Sequence, residues 1–234
     1  MHLGKIELNP TLSGYWGCYP DRIKEKSIST SLTGEDLSAL SSQSTTTNEG
    51  EEGKEKIIAG RITLANFPNN ICFVVEGQDH THASADEKAY WTETFDALSQ
   101  EWVHDALTAG VEKGVLSSRG CYSPAATSTS TSISTFTPAE ARYPLTLGRD
   151  VQLFYFTDLG HMEKLGRTNA AHVKLRRAFM EAYGPGGVLF GGGLSLWVET
   201  AVLRGEDIRA EYVGCLEGTG LLGLRGHDAF ASGV

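Results

Sequence analysis

The 234-residue chain has no run of basic residues: Lys and Arg number 20 against 29 Asp and Glu, for a net charge of −9. An acidic chain without a basic patch is a poor match to the phosphates of nucleic acid or to an anionic membrane surface, so neither is expected as a partner. Long apolar runs are missing too. No stretch nears the ~20 residues needed to cross a bilayer. Met1-His2-Leu3-Gly4-Lys5 leads into no apolar segment of the kind a secretory signal needs. Cysteine is scarce: Cys18, Cys72, Cys121 and Cys215 lie far apart and form no C-x-x-C. That favours free thiols in a reducing compartment over a disulfide framework. Hydrophobic residues at 40% and charged residues at 21% are ordinary for a chain with a packed core. The expectation is a cytoplasmic α+β protein forming a single domain over 1–234.

Two segments carry too little apolar character to offset the entropy of ordering them, and both are expected as flexible loops. One spans 41–56 and includes SSQSTTTNEGEEGKEK. The other spans 125–136 and includes TSTSTSIST, whose Ser/Thr alternation also suits an edge strand. Two helix patterns stand out. Ser84 and Glu87 have the S-x-x-E spacing of a capping box. Trp91, Phe95, Leu98, Trp102, Ala106 and Ala109 then follow at spacings of three and four, ending at Gly110 or Gly114. The second helix is expected from about Gly160 to Tyr183, stopped by Gly184-Pro185. Strands are expected at 57–65 and 70–76, paired as a hairpin through Phe67-Pro68-Asn69-Asn70. Further strands are expected at 115–122, 151–157, 194–203 and 208–216. From Asn70 onward the order is βαββαβ, that of a ferredoxin-like unit with extra N-terminal strands. Such a unit packs both helices on one face of its sheet, and the other face needs a cover.

Few residues point to chemistry by pattern. Asp79-His80-Thr81-His82, with Asp86 and Glu87 nearby, has metal-ligand residue types, but Val74 stands where a cupin needs glycine and a helix pattern follows. A loop and helix start is the better reading. Gly184-Pro185-Gly186-Gly187 and Gly191-Gly192-Gly193 follow a helix and precede a strand, so they read as turns and not as phosphate loops. Gly193-Leu194-Ser195-Leu196-Trp197 is not a G-x-S-x-G elbow. Cys18 or Cys121 as a thiol nucleophile has no local support. His172 lies on the apolar face of its helix with Leu175 and Phe179. It is either a satisfied core histidine or an axial ligand to an apolar cofactor such as haem.

A series of segments bears on that choice. DLGHMEKLGRTNAAHVKLRRAFMEAY, LSLWVETAVL and EYVGCLEGTGLL occupy the C-terminal third. Upstream lie Gly14-Tyr15-Trp16-Gly17 with Asp21-Arg22, Gly77-Gln78-Asp79, and Gly120-Cys121-Tyr122-Ser123. In order and spacing this series resembles the aldoxime dehydratases, haem lyases that convert R–CH=N–OH to a nitrile and water. The resemblance implies a dimeric α+β barrel type of fold and haem b with His172 as axial ligand to the iron. It also implies Arg22 in the distal pocket, a small apolar substrate, and only the C-terminal half of a two-unit family chain. The unit left without its counterpart points to a homodimer. Two positions depart from the family. Glu76 stands in place of a distal serine, and Val198 replaces a distal histidine beside a retained Glu199. Dehydration needs an acid at the hydroxyl and a base at the carbon proton. Glu76 can act as the acid if an apolar pocket keeps it protonated, which Arg22 nearby would oppose. Three functions stay open: a haem-dependent lyase using Glu76 and Arg22; a repurposed enzyme of the same fold catalysing cyclisation or rearrangement, with or without haem; and a non-catalytic haem-binding module.

Overall fold

The computed structural model describes residues 28–46, 57–123 and 149–231. Its centre is a four-stranded antiparallel sheet. Strands β2 (Ile71–Asp79), β3 (Val115–Ser123), β4 (Arg149–Phe156) and β5 (Ser195–Leu203) stand in the order β3-β4-β2-β5. Helices α2 (Ala85–Thr94) and α3 (Asp96–Leu107) join β2 to β3, and α4 (Leu159–Thr168) and α5 (Ala170–Tyr183) join β4 to β5. This is the βαββαβ order and strand arrangement of a ferredoxin-like unit. One strand, β1 (Ile57–Leu64), precedes the unit among the described residues, and helix α1 (Gly34–Thr46) precedes β1.

Alternation along β2 sorts the core, because successive side chains point to opposite faces. Cys72 and Val74 face the helices with Phe154 and Phe156 of β4, and pack on Ala106, Leu159 and Leu165. Ile71 and Tyr155 face the other way, into a second core with Leu40, Leu64, Leu221, Leu224 and Phe230. That second layer is built from α1, the β1–β6 pair with β6 at Ala210–Leu216, and the turns at Gly220–Leu224 and Asp228–Phe230.

The sequence expectations fare unevenly. Strands form at every predicted place, but β1 and β2 are not a hairpin: β1 pairs only with β6, and β2 pairs with β4 and β5. Asn70, at a left-handed φ of 70°, turns the chain from one layer into the other. Each predicted helix is two. The first bends at Phe95, which is fully buried among Tyr90, Trp91, Phe179 and Tyr183. The second breaks at Asn169, whose ψ of 121° is extended. Helix α1 runs to Thr46, into the stretch read as a loop, anchored by the buried Leu40. Residues 47–56 and 125–136 lie outside the described residues.

Candidate functional site

The break at Asn169 positions His172. Asn169 Oδ1 accepts from the His172 backbone N–H at 2.8 Å, capping α5, while its Nδ2 donates to Asp105 Oδ2 of α3 at 2.6 Å. His172 therefore sits in the first turn of α5, buried against the Trp102 ring with centroids 4.4 Å apart. Its Nδ1 lies 2.6 Å from the Gly166 carbonyl oxygen. A carbonyl only accepts, so Nδ1 carries the proton and Nε2 of the neutral ring carries the lone pair. Burial holds the imidazole below its usual range; the Gly166 bond opposes this and the Arg176 charge adds to it. A Cβ on Gly166 would stand 3.4 Å from the ring, an ordinary van der Waals contact.

A cleft of about 230 Å³ opens between the sheet and helices α2, α3 and α5. Trp102, Leu175, Phe179, Met180 and Val198 give it apolar walls, and His172 lines its helix side. Its sheet side carries Glu76, Gln78, Asp150 and Gln152. In register, Glu76 stands between Gln152 on β4 and Val198 on β5. Burial raises the Glu76 carboxyl to about 7; a hydrogen bond from the Trp102 indole opposes the rise and the Asp150 charge adds to it. Near neutrality Glu76 is thus divided between acid and carboxylate. Burial also raises Asp150, opposed by the Gln78 and Gln152 amides and by His80.

The cleft is braced by Glu87. Its Oε2 accepts from the Gly193 N–H at 2.9 Å, and its Oε1 accepts from the Leu194 N–H and the Tyr183 hydroxyl, both at 3.0 Å. Ser84 caps α2 by accepting from the Glu87 N–H, as the spacing predicts. The reciprocal half of the capping box is absent, because the Glu87 side chain is engaged by the loop before β5. That loop's glycines let the backbone come close: a Cβ on Gly193 would stand 2.0 Å from the His82 carbonyl oxygen. The turn reading of Gly191–Gly193 holds, with a closer packing reason than the sequence showed.

Of the predicted site residues, the structure brings Glu76 and His172 to one cleft, and Arg22 lies outside the described residues. The metal-like cluster disperses. Asp79 pairs with Arg149, His80 packs on Trp91, and Glu87 binds backbone; no group of three metal-ligating side chains forms among the described residues. Cys72, Cys121 and Cys215 are free thiols, and burial raises Cys72 to about 12. Sequence reasoning missed Asp150, Gln78 and Gln152. Their signal was period-2 polarity, with Asp150 and Gln152 on one face of a strand otherwise rich in apolar residues.

Fold and cleft together define an α+β protein with a buried, tautomerically fixed histidine facing a carboxyl-bearing sheet. The chain belongs to the haem-containing dehydratase family, whose model matches residues 2–221. It is similar to the solved structure of an aldoxime dehydratase in complex with butyraldoxime, with 21% identity and a TM-score of 0.52 over 73% of this chain and 43% of that one. A second aldoxime dehydratase structure matches at 18% identity and a TM-score of 0.52, over 73% and 44%. The chain thus spans less than half the length of these relatives. No curated protein sequence matches it. Among the described residues no helix is long and apolar enough to cross a membrane.

Proposed function

We propose that this cleft dehydrates aldoximes to nitriles with haem held on His172. The observation that carries the reading is the pairing of His172 and Glu76 across one apolar cleft. His172 fits the cofactor. Its Nδ1–H is committed to the Gly166 carbonyl, which fixes the ring and leaves the lone pair on Nε2, the arrangement a metal-binding imidazole uses. Haem held by His172 would supply a Lewis-acidic iron able to weaken the N–O bond of the substrate. Every other duty falls to the chain. Trp102, Leu175, Phe179 and Val198 exclude water and select a small apolar substituent. Glu76, protonated in part near neutrality, gives its proton to the departing hydroxyl, so that water and not hydroxide leaves.

One observation favours a second reading. Val198 stands directly across from Glu76 in the sheet register, where a residue able to shuttle a proton would be best placed. A repurposed reaction on an apolar intermediate, using the same cleft for cyclisation or rearrangement, needs no such residue. Turnover of butyraldoxime by the purified chain loaded with haem and reduced separates the two. Nitrile formation that falls 10²–10⁴-fold in Glu76→Gln supports the dehydratase. Haem bound to wild type with no nitrile formed rejects it and leaves the second.

A further inference from the structure

The acid has a position in the proposed reaction; the base does not, because valine at 198 can accept no proton. The cleft itself narrows the choice. Besides Glu76, which serves as the acid, the groups among its described residues able to take a proton are His172 and Asp150. His172 commits its Nδ1–H to Gly166, and its Nε2 would be occupied in holding haem. His80 is buried behind Trp91, with ring centroids 4.8 Å apart, and does not line the cleft.

Asp150 is placed and held for the task. It is the sheet partner of Gln78, and Gln152 is the sheet partner of Glu76. Glu76 and Asp150 are therefore diagonal neighbours on one face of adjacent strands, which sets their backbones about 7–8 Å apart and their carboxyl groups within reach of one small molecule. The amides divide unevenly between them. Gln78 Nε2 donates to Asp150 Oδ2 at 2.9 Å, and Gln152 Nε2 donates to Asp150 Oδ1 at 3.2 Å. Gln152, although directly across from Glu76, gives its amide to Asp150. Both Asp150 oxygens thus accept bonds that favour the carboxylate, while among the described residues the bond that favours the Glu76 carboxylate comes from the Trp102 indole. Burial raises both carboxyl groups, Glu76 to about 7, but two amides oppose the rise at Asp150 where one indole opposes it at Glu76, so the hydrogen bonds favour Asp150 as the carboxylate of the pair.

We propose that Asp150 is the base of this site: on one substrate, Glu76 protonates the leaving hydroxyl while Asp150 takes the proton on carbon. This rests on the dehydratase reading. The C–H bond breaks with its proton going to Asp150, the C=N bond becomes C≡N, and the N–O bond breaks as the hydroxyl takes the Glu76 proton and leaves as water. One proton passed from Asp150 to Glu76 resets the pair, with no net oxidation and no co-reactant. Among the described residues, the charged or titratable groups facing the pair are His80 just past β2, and His172 and Arg176 from α5. Burial holds both imidazoles below their usual range. The Asp79–Arg149 ion pair closes the strand ends beside them.

Infrared titration of the purified full chain tests the coupling without turnover. Wild type should show a protonated carboxyl band with a midpoint near 7 that is missing in Glu76→Gln. Asp150→Asn should keep the band and move its midpoint down, because a neighbouring negative charge is gone. An unmoved midpoint overturns the proposal. In haem-loaded chain with butyraldoxime, Asp150→Asn should lower kcat 10²–10⁴-fold with KM little changed, and Asp150→Glu should restore part of it. A wild-type rate in Asp150→Asn overturns the base assignment even if the midpoint moves. A wild type that turns over no aldoxime overturns the dehydratase reading and the base role together, whereas failure of Asp150 alone leaves wild-type turnover intact.

Discussion

Replacing Glu76 with glutamine should make the fold less sensitive to alkali. The folded carboxyl titrates near 7, against 4.5 for an ordinary glutamate. Between those values the unfolded chain has released the proton and the folded chain still holds it. The unfolded state thus binds fewer protons, and stability falls as pH rises through this window. Each unit of difference corresponds to about 1.4 kcal/mol. From pH 5 to pH 8 the wild type should lose about 2–3 kcal/mol from this group alone, a large share of the ~5–15 kcal/mol that holds a domain together. Glu76→Gln has the same shape and no charge to bury, so it should lose none of it. Urea unfolding of both proteins at pH 5, 6, 7 and 8 measures the difference directly. Parallel pH profiles for the two proteins would mean that Glu76 meets water freely, and would remove the acid from the proposed site.

Three other outcomes follow from the packing. Glu87→Ala strips acceptors from two backbone N–H groups and the Tyr183 hydroxyl, at about 1–3 kcal/mol for each donor left buried; a loss under 1 kcal/mol in urea would contradict the brace. Burial raises the Glu87 carboxyl, but its hydrogen bonds outweigh this and hold it below the usual range. Its contribution should therefore be present above the ordinary glutamate value of 4.5 and fade as pH falls through the lower folded value, which acid titration of wild type against Glu87→Gln would show. Gly193→Ala forces a methyl group against the His82 carbonyl and should cost about 1–3 kcal/mol, read as a lower Tm.

Much of this architecture was legible from local pattern. Strand periodicity, the Ser84 cap and the βαββαβ order all reflect forces acting over a few residues. Pairing was not: the hairpin expected between β1 and β2 fails because both strands have better partners far along the chain, in β6 and in β4 and β5. The helix break at Asn169 left a signal, an asparagine three residues before His172, but the apolar spacing ran through it. The site was half visible. His172 and Glu76 emerged because they fall at positions where the chain resembles a family or departs from it. Asp150 depends on the register that sets it beside Gln78, and Glu87 on a loop more than a hundred residues away. Long-range contacts of this kind leave only polarity in the sequence, with no indication of the partner.

The central claim is that His172 holds haem in this cleft. The most direct measurement is the visible absorption spectrum of the purified chain after haem addition, oxidised and reduced, for wild type and His172→Ala. The account predicts a Soret band in wild type that shifts on reduction and is lost or altered in His172→Ala. No haem uptake by wild type, or the same spectrum in both proteins, would contradict it.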